Sequence, residues 1–113
     1  AKALELSKQN LKAVLKDADI LVNATSVGMS PNINQTPVAK RLLKLGLVVF
    51  DVVYNPIKTR LLAEAEEAGA KTIEGLDMLV WQGALAFELW TGLKPPAEIM
   101  KAEAVKALEE HEN

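Results

Sequence analysis

Apolar residues along the chain switch between a helical rhythm and short unbroken runs. The opening stretch, Ala1–Lys16, sets Leu4, Leu11 and Leu15 among lysines, with Leu6 and Val14 nearby. That spacing predicts an amphipathic helix or two short ones. Asp19-Ile-Leu-Val-Asn-Ala-Thr then runs apolar without alternating, as a strand buried on both faces does. Ser26–Pro37 holds Gly28, Pro31 and Pro37 and reads as a loop. Residues 38–45 predict a short amphipathic helix closed by Gly46, and Leu47–Tyr54 a second buried strand stopped by Asn55-Pro56. Thr59 starts a helix over Leu61–Ala68, with Gly69 just past its end. Lys71–Glu74 is a brief third strand ending at Gly75. A long helix from about Leu76 to Trp90 stops at Thr91-Gly92, and Pro95-Pro96 opens a more polar one to about Glu110.

Helices alternating with strands imply a parallel sheet joined by right-handed crossovers. Three strands, with a helix first and no strand before it, make only the second half of a doubly wound sheet, which usually has about six strands. The expected fold is therefore α/β: a partial, Rossmann-like three-layer α/β/α arrangement with a parallel sheet. No repeat or linker divides it, so residues 1–113 read as a single domain.

Composition narrows the function. With 113 residues, half of them apolar, and a net charge of −2, the chain can close a core and is not disordered. Its longest apolar runs fall far short of the roughly 20 residues a bilayer span needs, so no membrane partner is expected. Its first residues lack the apolar segment of a secretory leader, and a cytoplasmic location is expected. There is no cysteine, and the one histidine, His111, lies in a Glu-rich tail and reads as a solvated end, so no metal site is expected. Basic residues are dispersed and aromatics few, which sets nucleic acid aside as a partner.

Ligands of open parallel sheets bind beyond the carboxyl ends of the strands. Three loops therefore matter: Asn23–Met29, Tyr54–Lys58 and Gly75–Met78. The first offers small residues and hydroxyls where a flat ligand could approach, the second a phenol and an amide, the third a glycine leading into a helix N-terminus. Each also has a plain structural reading. Asn23 and Thr25 could serve only to cap the strand end, Gly28 and Gly75 could be positive-φ residues, and Tyr54 could pack under Pro56. Gln82 lies about 140° around its helix from Asp77, on the side of Met78, Leu85 and Leu89. A neutral amide on an apolar face needs a partner, either backbone of a neighbouring loop or the hydroxyls of a bound polyol. Asp51, inside an apolar strand, reads as an acceptor for a nearby loop, with a proton-shuttle role left open. No Ser/His/Asp set, carboxylate pair or Gly-rich phosphate loop appears, so no catalytic residue is expected within the chain.

Ala18-Asp-Ile-Leu-Val-Asn-Ala-Thr-Ser-Val-Gly-Met, Phe50-Asp-Val-Val-Tyr-Asn-Pro, Glu74-Gly-Leu-Asp-Met-Leu-Val-Trp-Gln-Gly-Ala and Phe87-Glu-Leu-Trp-Thr-Gly occur in that order. Together they resemble the C-terminal part of the shikimate dehydrogenases, which interconvert 3-dehydroshikimate and shikimate with NADP in aromatic amino-acid biosynthesis. The resemblance covers about residues 17–108. It implies that Asn23, Ala24, Thr25 and Ser26 pass beside the nicotinamide riboside, and that Val52, Gly75 and Met78 contact the cofactor. It implies further that Tyr54 and Gln82 bind shikimate or 3-dehydroshikimate, which favours the polyol reading of Gln82. The family's catalytic Lys/Asp pair and its phosphate loop have no counterpart here, so residues 1–113 alone are expected to be inactive. Quinate as substrate is the neighbouring alternative. A non-catalytic module that forms a homodimer over an open sheet edge is the reading from a different class.

Overall fold

The computed structural model describes residues 1–112. Three parallel strands, β1 (Ile20–Asn23), β2 (Val48–Asp51) and β3 (Lys71–Ile73), lie in the order β1-β2-β3. Helices α1 (Lys8–Leu15), α2 (Arg60–Glu67), α3 (Gly75–Thr91) and α4 (Ala97–Glu112) complete the α/β arrangement expected from the alternation. The β1–β2 register pairs Asn23 with Asp51, so both strands end level.

Alternation along β2 buries Val49 and Asp51 on one face, and that face carries the core. Leu15 of α1, Leu61, Leu62 and Ala65 of α2, and Val38, Leu43 and Leu47 from the connection between β1 and β2 close over it. Thr59 caps α2: its Oγ1 accepts from the Leu62 N–H at 3.3 Å and donates to Asp51 Oδ2 at 2.7 Å. Gly69 turns the chain beyond α2 at φ +83°. Thr59→Ala removes both bonds from a buried site, and a loss of about 2 kcal/mol is expected, read as a lower urea midpoint at unchanged m-value.

Three expectations are corrected. The helix over residues 1–16 begins only at Lys8, because Ser7 Oγ accepts from the Asn10 N–H and caps it there. Leu4 and Leu6 before it are exposed. The helix expected over residues 38–45 shrinks to one 3-10 turn, Lys40–Leu42. Burying Val38, Leu43 and Leu47 from so short a connection keeps the chain irregular. β1, read as buried on both faces, leaves Ile20 64% and Val22 50% exposed. An unbroken apolar run tells which residues avoid water, not what covers them. Ile73 of β3 is also exposed on the sheet, and Met78, Leu85 and Leu89 are exposed on α3.

The main neighbour of α3 is α4. Lys101 reaches Asp77 at 2.6 Å between them, and that hydrogen bond holds the ammonium above its ordinary pKa. Among the described residues no helix is long and apolar enough to cross a membrane.

Candidate functional site

A cleft of about 420 Å³ opens at the carboxyl ends of β1 and β2. One wall is Ala24, Thr25 and Ser26, continued by Met29 and Ser30; the other is Val52, Val53, Tyr54 and Asn55. The strands run parallel and end level, so the two loops that leave them must face one another. The loops are also tied directly: the Ser30 N–H donates to the Asn55 carbonyl at 2.8 Å and Ser30 Oγ to Asn55 Oδ1 at 3.2 Å.

A hydrogen-bonded chain of side chains holds the walls from behind. Asn23 is buried, and its Nδ2 donates to Asp51 Oδ1 at 3.0 Å and to the Val27 carbonyl at 3.2 Å. Its Oδ1 accepts from the Thr25 N–H at 3.2 Å and from Thr25 Oγ1 at 2.6 Å. Thr25 Oγ1 in turn accepts from the Val27 N–H at 3.2 Å, closing the turn. Asp51 is 0% exposed; its Oδ1 also accepts from the Val53 N–H at 3.0 Å, and its Oδ2 takes the Thr59 hydroxyl. Every donor facing this carboxylate is neutral. The acceptor role read from sequence is thus what Asp51 performs.

Of the residues singled out from sequence, the cleft brings together Ala24, Thr25, Ser26, Val52 and Tyr54. Asn23 lies behind the wall with both ends of its amide engaged. Gly75 and Met78 are not among the lining residues. Gly28 has the expected positive φ of +95°, but Gly75 does not. Gly75 is instead required by close approach: a Cβ there would stand 2.4 Å from the Val52 carbonyl oxygen and 2.6 Å from that of Asp51. This lets α3 start flush against the end of β2. Gln82, farther along α3, is exposed and outside the cleft, and its Nε2 donates to the Leu79 carbonyl of its own helix at 3.0 Å. Of the two partners considered for this amide, backbone of a neighbouring loop is not the one it meets, because this helix face is open to solvent. Tyr54 is 39% exposed, its ring open to the cleft.

Met29 and Asn55, from the two loops expected to matter, join the rim, and so do Ser30 and Val53, which were not singled out. Ser30 and Asn55 each precede a proline, a visible turn signal, but a tie between positions so far apart in sequence has no sequence signature. Apart from the Tyr54 phenol, the lining side chains are hydroxyls, an amide and apolar groups. Such a surface suits a neutral, flat or hydroxylated ligand, and the Tyr54 phenol is the one ionisable group among its lining residues. No cluster of metal-binding side chains occurs among the described residues.

The chain is similar to several known proteins. The family described as Shikimate 5'-dehydrogenase C-terminal domain matches residues 75–105. The shikimate dehydrogenase (NADP(+)) of Methanosarcina mazei is 57% identical over 99 residues, which cover 88% of this chain and 35% of that protein. The shikimate 5-dehydrogenase of Listeria monocytogenes, solved with shikimate and NAD, superposes with a TM-score of 0.84 at 40% identity, covering 92% of this chain and 37% of the other. Quinate dehydrogenase from Corynebacterium glutamicum, solved with NAD, gives 0.80 at 35% identity over 88% and 35%. The chain thus spans a little over a third of the length of each relative. Four motifs in order, a parallel sheet with a cleft at its carboxyl edge, and relatives at 57% and 40% identity point the same way: the chain matches the C-terminal portion of the shikimate dehydrogenases.

Proposed function

We propose that this chain forms the nicotinamide-side wall and part of the polyol-binding rim of an NADP-dependent dehydrogenase that interconverts 3-dehydroshikimate and shikimate. The observation that carries the proposal is the cleft where β1 and β2 end, with Thr25 and Ser26 facing Val52 and Tyr54. Its apolar and hydroxyl lining fits a nicotinamide ring, and its volume of about 420 Å³ suits that end of a dinucleotide better than the whole.

In this reading Ala24, Thr25 and Ser26 flank the nicotinamide riboside, with Asn23 holding their turn. Val52 offers backbone to the ring from the opposite wall. When bound, the dinucleotide supplies the hydride that reduces the ring ketone. Tyr54 contributes a phenol to the substrate hydroxyls. Gln82 keeps an exposed amide for the same task, and Gly75 and Met78 set the start of α3 beside the cofactor wall. The proton of the reaction falls to groups outside residues 1–113, because the one ionisable group lining the cleft, the Tyr54 phenol, is engaged by the substrate hydroxyls.

The bare sheet face at Ile20, Val22 and Ile73, with the outer side of α3, supports a site completed by further polypeptide. Relatives of more than twice this length have the residues to cover it. Pairing with a second copy along the open edge of β1, at one end of the sheet, is the corresponding reading for the isolated chain.

The test is a hybrid in which this chain replaces the matching portion of the Methanosarcina mazei relative. NADP-dependent oxidation of shikimate is expected, with quinate and NAD assayed alongside. Tyr54→Phe is expected to raise the KM for shikimate by about tenfold while leaving the KM for NADP near its starting value, because one hydroxyl contact is lost. A hybrid that folds but oxidises no shikimate overturns the proposal.

A further inference from the structure

The two cleft walls come from segments distant in sequence, and behind the Ser30–Asn55 tie at the rim one pair of buried side chains joins them. Asn23 and Asp51 are register partners on β1 and β2, and Asn23 Nδ2 donates to Asp51 Oδ1 at 3.0 Å. From this junction Asn23 Oδ1 takes the Thr25 N–H and hydroxyl on one wall, and Asp51 Oδ1 takes the Val53 N–H on the other. We infer that Asn23 and Asp51 act as a positioning pair that sets the spacing and orientation of the two walls for the cofactor. Neither lines the cleft, so their effect on a ligand passes through Thr25 and Val53.

Three features support this. A buried carboxylate surrounded only by neutral donors costs desolvation that an apolar pair at the same register would avoid. Each of its oxygens is spent on a different segment: one on β1 and the wall after β2, the other on the cap of α2 through Thr59. The Thr25 side chain, although on the surface, is turned back into the network instead of outward. Fixed donors and acceptors of this kind keep loops in one geometry, and small displacements of a reacting ligand lower rates steeply.

The inference rests on the proposed function for its kinetic arm and not for its structural arm. In the isolated chain, amide hydrogen exchange at Thr25, Val27 and Val53 is compared with that of β2 core amides. Asn23→Ala is expected to speed exchange at Thr25 and Val27 at least about tenfold beyond any change shared by the core. Asp51→Asn should leave both near the starting rate, because Oδ1 still accepts from Asn23 and Val53 while the new Nδ2 can donate to Thr59 Oγ1. In the hybrid enzyme, Asn23→Ala is expected to raise the KM for NADP by about tenfold, with Asp51→Asn close to the parent. A merely structural role would lower the folded fraction and the maximal rate without moving KM. If Asn23→Ala does not fold, Thr25→Val, at a surface position, removes the acceptor of the Val27 N–H and should speed exchange at Val27, while the residue-25 N–H keeps Asn23 Oδ1. Parent-like exchange at Thr25 and Val27 in a folded Asn23→Ala chain, or at Val27 in a folded Thr25→Val chain, overturns the inference. An inactive parent hybrid would sink the functional reading while the exchange data still decide this one.

Discussion

Asp51→Ala is expected to destabilise the chain by about 3–5 kcal/mol, a large part of the total stability of a domain this size. The loss has a definite source. The carboxylate lies fully buried and accepts from Asn23 Nδ2, the Val53 N–H and the Thr59 hydroxyl. Alanine leaves those donors without an acceptor, and each buried unsatisfied group costs roughly 1–3 kcal/mol. Rotation of the Thr59 hydroxyl and the Val27 carbonyl bonded to Asn23 recover part of it. Asp51→Asn is the matched control, since every one of those bonds can be kept in a rearranged form, and about 1 kcal/mol is expected. Urea titrations of the two variants decide it. Equal losses would mean that the donors find water when the acceptor goes, and that the network is not sealed.

Gly75→Ala is expected to cost about 3 kcal/mol, shifting the thermal midpoint down by roughly 10–20 °C. The cause is neither helix propensity nor backbone angle, because alanine suits a helix and φ at Gly75 is not positive. It is the 2.4 Å and 2.6 Å separations between an added Cβ and the carbonyl oxygens of Val52 and Asp51. Backbone cannot swing aside as the end of a long side chain can, so α3 must lift from the end of β2. Gly46→Ala supplies the contrast. That glycine has φ +90° and nothing within 4 Å of a built Cβ, so only left-handed backbone strain of about 1–2 kcal/mol is expected. If both alanines cost the same, α3 does not start against the strand. Because Gly75 seats α3 at the cleft end of β2, its substitution is also expected to disturb the wall at Val52.

How much of this was legible beforehand differs from element to element. Thr59 as the start of α2 and Gly69 beyond its end were readable, because a cap and a left-handed turn are local events that name their own residues. The parallel sheet followed from alternation alone. The cleft walls at Thr25, Ser26 and Tyr54 followed from where parallel strands end, and Val52 from the family resemblance alone. The plain structural reading of Gly75 named the wrong cause, since positive φ is a property of one residue and close approach belongs to two segments. Gln82 was placed on the correct side of its helix, but its bond to Leu79 and its exposure depend on what lies opposite, which periodicity does not contain.

By itself the sequence determined the order of helices and strands, their hydrophobic faces, the turn residues and the motifs that carry the family. These are set by near neighbours, at helical or strand spacing, where the physics acts over a few residues. Only the tertiary structure decided that Asn23 faces Asp51, that Ser30 meets Asn55, and that one side of the sheet and the outer side of α3 lie open. Those facts depend on strand register and on which surfaces meet, which are fixed when distant segments compete to bury apolar area and satisfy their polar groups together.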